Sequence, residues 1–152
     1  MFSKRIKLIA SLITKEDKIL DVGTDHALLP IYLVKNSICS IADGSDISEN
    51  VLKHAKRNIN RFNLKEKINL YKSNGLKEVE INNYNTLIIC GMGYTTIKDI
   101  LLSNDISNIK KLIIQTNNDY ELMRKFINSI SYKIDKEICI KDKNINYIIF
   151  VI

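Results

Sequence analysis

Asp21-Val22-Gly23-Thr24-Asp25-His26-Ala27 is the stretch of this 152-residue chain that most narrows its chemistry. An apolar run ends in an acid, a glycine follows, and then come a second acid and a histidine. This is the pattern of a strand entering a tight turn and then a helix, the opening of a nucleotide-type α/β unit. In the dinucleotide fingerprint G-x-G-x-x-G, the second glycine lets the backbone approach a pyrophosphate. Asp25 stands at that place here. A carboxylate repels phosphate and suits a cation. The nucleoside cofactor that carries a cation and no phosphate is S-adenosylmethionine, so the loop predicts a methyl-donor site rather than a hydride-transfer site. Asp21, Gly23, Asp25 and His26 are its expected cofactor contacts. His26 is read as a positioning residue, with direct catalysis as the alternative.

Other residues fall where such a site needs them. Asp46 follows Gly23 by 23 positions, and an acid there can accept bonds from both ribose hydroxyls. Asp43 is its competitor, and either acid could simply cap the next helix. Ile47 is grouped with Asp46 as a cofactor contact. Asn74-Gly75-Leu76 follows a strand-like run, and all three are expected cofactor contacts. The Asn74 side-chain oxygen can accept from an adenine amine, although Asn-Gly is also an ordinary turn pair. Gly91-Met92-Gly93 closes another apolar run, with Gly91 and Met92 on the cofactor and Gly93 on the substrate. Two glycines there allow a substrate to pass close to the backbone. Gln115 and Asn117 carry amides suited to the edge of a base. Lys53 and Arg57, with Lys56 and Arg61, share one side of a predicted helix. They suit phosphates, or form a solvated surface. His54 in the same helix is read as exposed.

Positioning these residues requires alternating strands and helices. A short amphipathic helix is expected over Ser3–Ile13. Strands are expected at Lys18–Val22, Ser37–Ala42, Ile68–Tyr71, Thr86–Cys90 and Lys111–Gln115. Helices are expected at Leu28–Lys35, from a Ser48 cap to about Phe62, from Gly93 to about Leu102, and at Asp119–Ile130. Lys133–Ile140 and Ile145–Ile152 have only Lys141-Asp142-Lys143-Asn144 between them, so they should pair antiparallel. Continuous apolar strands alternating with helices predict a mostly parallel, doubly wound sheet covered on both faces, with an antiparallel closing strand. In such α/β sheets, ligands lie over the carboxyl ends of the strands. Each candidate loop follows a predicted strand.

Composition sets the outer limits. The chain is 45% hydrophobic and 26% charged, ordinary for a globular protein, and is expected to form one domain over residues 1–152. No apolar run is long enough to span a bilayer and no secretory signal is evident, so a cytoplasmic protein without a membrane partner is expected. Cys39, Cys90 and Cys139 are widely spaced, with no Cys/His cluster. No metal is therefore expected, and all three cysteines are read as core residues. The net charge of +6 is uneven. Residues 1–76 hold 13 Lys/Arg against 8 Asp/Glu, and residues 77–152 hold 10 against 9. The basic half suits a polyanion.

Together these motifs resemble TrmK, the bacterial tRNA adenine-N1 methyltransferase family that modifies adenosine 22 in the D arm. The family loop D-I-G-S-D-H-A-Y-L-P is similar to Asp21 through Pro30. Its A-G-M-G-G is similar to Cys90-Gly91-Met92-Gly93-Tyr94, and its G-D-G-L to Ser73-Asn74-Gly75-Leu76. Its Q-P-N is similar to Gln115-Thr116-Asn117, with Arg124 at a following arginine. Its opening S-K-R-L is similar to Ser3-Lys4-Arg5-Ile6. The departures are Leu28 for Tyr, Asn74 for Asp, Thr116 for Pro and Tyr94 for Gly. The resemblance implies a Rossmann-like class I methyltransferase using S-adenosylmethionine on a tRNA substrate, with Asp25 as the catalytic carboxylate. It also implies substrate contacts from Lys4 and Arg5. Family members usually continue into a helical C-terminal domain, which residues 1–152 are not expected to contain. Oligomeric state is open, with a monomer as the working expectation. Three rival readings are a class I methyltransferase for a small molecule or protein, a non-catalytic RNA-binding relative, and a dinucleotide oxidoreductase. Asp25 argues against the last.

Overall fold

The computed structural model describes residues 2–152. Seven strands form one sheet: β1 (Lys18–Val22), β2 (Ile41–Asp46), β3 (Leu70–Lys72), β4 (Thr86–Met92), β5 (Lys111–Thr116), β6 (Lys136–Asp142) and β7 (Ile145–Val151). Their spatial order is β3-β2-β1-β4-β5-β7-β6. The first five pair in parallel, while β7 runs antiparallel to both β5 and β6. Helices α1 (Lys4–Ser11), α2 (Leu28–Lys35), α3 (Glu49–Arg61), α4 (Tyr94–Leu102) and α5 (Tyr120–Ser129) cover the sheet. This is the doubly wound, mostly parallel sheet that the sequence predicts. Among the described residues, no helix is long and apolar enough to cross a membrane.

The two-residue period of the strands sorts the core into layers. Leu20, Val22, Leu87, Ile89, Leu112 and Ile114 pack on the face that holds α4 and α5. Ile19, Ile88 and Ile113 pack on the opposite face, with Ile9, Leu29 and Leu33 of α1 and α2. The central strands are buried on both faces, which is why they read as unbroken apolar runs.

Several boundaries move. The expected Ser3–Ile13 helix is Lys4–Ser11, with Ser3 as its cap: the Ser3 hydroxyl accepts the Ile6 N–H at 3.2 Å. The expected strand at Ser37–Ala42 is Ile41–Asp46. Ser37 has φ +53 and, with Asn36, closes α2, its N–H reaching Val34 O and that of Ile38 reaching Leu33 O. The strand then runs through four residues that read as a turn, because their backbone joins the ladders to β1 and β3 and the buried Asp43 carboxylate finds partners; the buried Ser45 hydroxyl has none among the described residues. Asp43 accepts the Asn69 N–H at 2.8 Å and the Tyr84 hydroxyl at 2.8 Å. The third strand is Leu70–Lys72, with Ile68 in a side cluster against α3 instead. The closing strands begin three residues late at Lys136. Cys139 lies exposed on that edge strand, which corrects its reading as core; Cys39 is buried and Cys90 intermediate.

The chain leaves β1 toward β2 and β3, then crosses back to β4 on the other side of β1. The order therefore reverses between β1 and β4, and a crevice opens over their carboxyl ends. The loops 23–27 and 91–93 both emerge there.

Candidate functional site

Loop 23–27 is a strained turn. Gly23, Asp25 and Ala27 take left-handed φ of 73, 54 and 57°, alternating with Thr24 and His26. For a residue with a Cβ this conformation costs about 1–2 kcal/mol, and it persists where neighbours enforce it. The neighbours are specific. The N–H groups of Gly23 and Thr24 both donate to Ser45 O, at 2.8 and 2.9 Å. The Thr24 hydroxyl donates to Asp21 Oδ2 at 2.8 Å. Gly23 has φ +73, which favours glycine, and a Cβ there would lie 2.3 Å from Met92 Cε, so the end of that side chain would have to move.

Two joined cavities fill the crevice. One, of about 410 Å³, is lined by Asp46, Ile47, Asn74, Gly75 and Ile100 among others. The second, of about 590 Å³, is lined by Arg5, Asp21, Asp25, His26, Asn117 and Tyr147 among others. Gly23, Asp46 and Met92 line both. Of the competing acids Asp43 and Asp46, only Asp46 lines these cavities: Asp43 turns away toward Asn69 and Tyr84.

Asp21, Asp25 and Asp46 converge on Gly23. Asp21 is buried, and that burial is the largest influence on its carboxyl, pushing it up to about 7. The Thr24 hydroxyl and the Arg5 guanidinium oppose the push, and the negative charges of Asp46 and Asp25 add to it. Asp46 Oδ1 accepts the Ser48 N–H at 2.9 Å, and among the described residues its other oxygen has no partner. The Asp25 side chain is 71% exposed, with Oδ1 3.6 Å from His26 Nε2. Among the described residues no cluster of three or more His, Cys, Asp or Glu could hold a metal ion.

The loop after β3 is built by Glu78. Its Oε2 accepts the Asn74 N–H at 2.7 Å and the Ser73 hydroxyl at 2.9 Å, which hold the carboxyl below its usual range. The Asn74 side chain has no hydrogen-bond partner among the described residues and is exposed at the cavity wall. Leu76 is buried in the core beneath and lines neither cavity. Ile47 is 63% exposed and lines the first cavity.

The loop after β4 is held by amides. The Gly91 N–H donates to Gln115 Oε1 at 3.0 Å, and Asn117 Nδ2 donates back to Gly91 O at 2.8 Å. The Asn117 N–H reaches Met92 O at 2.8 Å, and the Tyr94 N–H reaches Asn118 Oδ1 at 2.8 Å. Gln115 also accepts from Arg5 Nη1 at 3.2 Å and donates to Thr116 O at 2.9 Å. Gln115, expected at the edge of a base, is therefore a buried hub whose amide is consumed inside the protein. Asn117 borders the second cavity with its amide already engaged. Gly93 caps α4 beside Asn118 and lines neither cavity.

Lys4, Lys53 and Arg57 are exposed outside both cavities, whereas Arg5 reaches the second, its guanidinium 4.5 Å from the centre of the Tyr147 ring. Arg124 pairs with Glu137 at 2.6 and 3.0 Å, joining α5 to β6 away from the crevice. Tyr147 and the α4 residues Thr96, Asp99 and Ile100 were not legible as site residues. Only the fold brings them to the crevice.

The profile of the family described as Methyltransferase domain matches residues 2–150. The chain belongs to that family. Within it, the likeness is to TrmK proteins. The solved structure of M. capricolum TrmK in complex with the cofactor product S-adenosyl-homocysteine is 38% identical with a TM-score of 0.89, covering 99% of this chain and 68% of that one. Streptococcus pneumoniae Sp1610 in complex with S-adenosyl-L-methionine is 33% identical with a TM-score of 0.94, covering 99% and 72%. The tRNA (adenine(22)-N(1))-methyltransferase of Bacillus subtilis is 27% identical over 151 residues. That match spans 98% of this chain and 63% of the relative, so the chain corresponds to roughly two thirds of the relatives' length. The TrmK resemblance read from the motifs is thus borne out, as is the methyltransferase fold.

Proposed function

We propose that the chain binds S-adenosylmethionine across the two cavities and methylates N1 of an adenosine in tRNA, at position 22 of the D arm. The observation that carries this reading is the convergence of Asp21, Asp25 and Asp46 on one glycine turn at the sheet's switch point. Such a cradle disfavours phosphate and suits a ligand bearing sulfonium and ammonium. The relatives solved with S-adenosyl-homocysteine and S-adenosyl-L-methionine, and the tRNA (adenine(22)-N(1))-methyltransferase of Bacillus subtilis, support the same cofactor and substrate.

The residues present fit that ligand. Asp46 offers its unpartnered oxygen to the ribose hydroxyls. Ile47 offers an apolar surface and Asn74 an acceptor for adenine, with Gly75 beside it and Leu76 supporting from beneath. Asp21, once ionised, pairs with the ammonium. Gly23, Gly91 and Met92 line the passage shared by the cavities, next to His26. When bound, S-adenosylmethionine supplies an activated methyl group on a cationic sulfur.

The acceptor needs little activation. Adenine N1 carries its lone pair in the ring plane, so no strong base is required to make the nucleophile. Methylation leaves positive charge on the base. The Asp25 carboxylate stabilises that charge and accepts the proton of the exocyclic amine. His26, close to Asp25, orients it. Arg5 on Tyr147 forms a flat wall of the second cavity, suited to a base extruded from its stack. Holding base and donor together supplies much of the remaining rate. This substrate assigns the activity to the cytoplasm.

Calorimetric titration with S-adenosylmethionine, with NAD as a control, tests the cofactor assignment. Saturable binding of the first alone is expected. Binding of NAD without S-adenosylmethionine would overturn it.

A further inference from the structure

The outward face of α3 is cationic without compensation. Lys53, Lys56, Arg57 and Arg61 are all exposed, and from Asn50 through Lys65 the sequence contains no acid. Among the described residues none of the four forms an ion pair. The one pair at this helix joins Glu49, in its first turn, to Lys72 at 3.6 Å. Helix α5 is built in the usual way, with Glu121 and Lys125 one turn apart and 3.1 Å apart. On α3 the only acid is Glu49, one turn before Lys53 and paired with Lys72, so the cations beyond it face no acid on their own helix, as expected of a surface that meets a polyanion.

The location supplies the second argument. The inner face of α3 buries Ala55 and Ile59. Its flank touches the catalytic loop: Asn58 Nδ2 donates to His26 O at 3.0 Å, and the His54 and His26 rings lie 6.2 Å apart, edge to face. His26 borders the second cavity. The cationic strip thus starts at the cavity mouth. Lys53, Arg57 and Arg61 follow at intervals of four residues, about 6 Å of helix rise each. That matches the order of spacing of successive phosphates along a nucleic-acid strand. Lys35, over the Phe62 ring at 4.9 Å, continues the strip past the helix end.

We propose that this face of α3 is a track for the RNA backbone flanking the target base, holding phosphates while the base enters the second cavity. The proposal rests on the RNA-methyltransferase reading above and adds the route by which the RNA reaches the site.

The test is the triple variant K53E/R57E/R61E beside a control, K110E/K133E, which reverses exposed charges elsewhere. Calorimetry measures S-adenosylmethionine binding, anisotropy measures tRNA binding across a salt series, and steady-state kinetics separate KM from kcat. The expected triple variant folds and binds S-adenosylmethionine within about twofold of the unaltered chain. Its tRNA affinity falls at least about 10-fold, and the slope of log K against log salt shrinks by about 2–3, as losing three phosphate contacts requires. The loss appears in KM for tRNA, and the control behaves as the unaltered chain. A folded triple variant with unchanged tRNA affinity and salt slope would overturn the track, as would absence of RNA binding by the unaltered chain. If that chain binds RNA in a salt-dependent, α3-dependent way but transfers no methyl group, the track stands and the methyltransferase reading fails. Binding to anionic lipid vesicles that the variant abolishes, with RNA binding untouched, would assign the face to a membrane and overturn the proposal.

Discussion

Two neighbouring surfaces of this molecule carry opposite charge. The crevice gathers Asp21 from β1, Asp25 from the loop that follows and Asp46 from the end of β2. Helix α3, joined to that loop through the Asn58–His26 hydrogen bond, presents Lys53, Lys56, Arg57 and Arg61. The two surfaces are also built differently. Among the crevice acids, Asp21 is held by a buried hydrogen bond from Thr24, Asp46 accepts the Ser48 N–H, and the exposed Asp25 is placed by the left-handed backbone of its loop. The α3 cations stand on a regular helix in solvent and have reach rather than geometry. The contrast suits two ligands of opposite sign. A small cationic cofactor needs fixed contacts, whereas a polyanionic strand needs attraction along a path.

Perturbing the crevice should break the chemistry, and the largest effect is expected at Asp25. Asp25→Ala should lower single-turnover methyl transfer by about 10²–10⁴-fold. Its cofactor affinity, read by calorimetry, should change by less than about 10-fold. A variant with unimpaired transfer would remove Asp25 from its role.

Asp21 sharpens the comparison through pH. Its carboxyl lies at about 7 in the folded chain, above its ordinary value of 3.8. Folding therefore takes up a proton between those limits. This group's contribution to stability is fully present below about pH 4 and is lost as pH rises through 7. A cationic cofactor prefers the ionised form, so binding should release a proton below pH 7 and weaken as pH falls. Asp21→Asn should bind about 10–100-fold more weakly, with affinity nearly flat from pH 5.5 to 8. The difference in thermal midpoint between variant and parent should change over the same window. An equally steep pH dependence of affinity in both proteins would contradict this.

Gln115→Leu is expected to act on the scaffold. It strands the Gly91 N–H and one Arg5 contact, so thermal unfolding should report a loss of about 1–3 kcal/mol. Cofactor affinity should fall less than in Asp21→Asn. The smallest effect is expected from Asn74→Asp, which keeps the acceptor while adding another negative charge. A KM change for S-adenosylmethionine within about fivefold, at unchanged kcat, is the expected result.

Much of the crevice could be read from local sequence because its chemistry is local. Asp21, Gly23 and Asp25 lie in one turn, and Asp46 lies at a distance set by one strand–helix–strand unit. The second strand misled for a physical reason. Asp43-Gly44-Ser45-Asp46 has turn composition, yet inside the sheet Tyr84 and Asn69 bond the Asp43 carboxylate and the Gly23 and Thr24 amides bond Ser45 O. Gln115 misled differently. An amide at a strand end can face a ligand or the protein, and only the proximity of Gly91 and Arg5 decides between them. Tyr147, more than a hundred residues from the loop it faces, carried no local signal at all.

The most direct test of the central claim is to incubate the purified chain with S-adenosylmethionine and unmodified tRNA, digest the RNA, and map modified nucleosides by mass spectrometry. The account predicts 1-methyladenosine at position 22, absent when Asp25 is alanine. S-adenosylmethionine binding without any methylated adenosine, or with the methyl group at another atom, would contradict it.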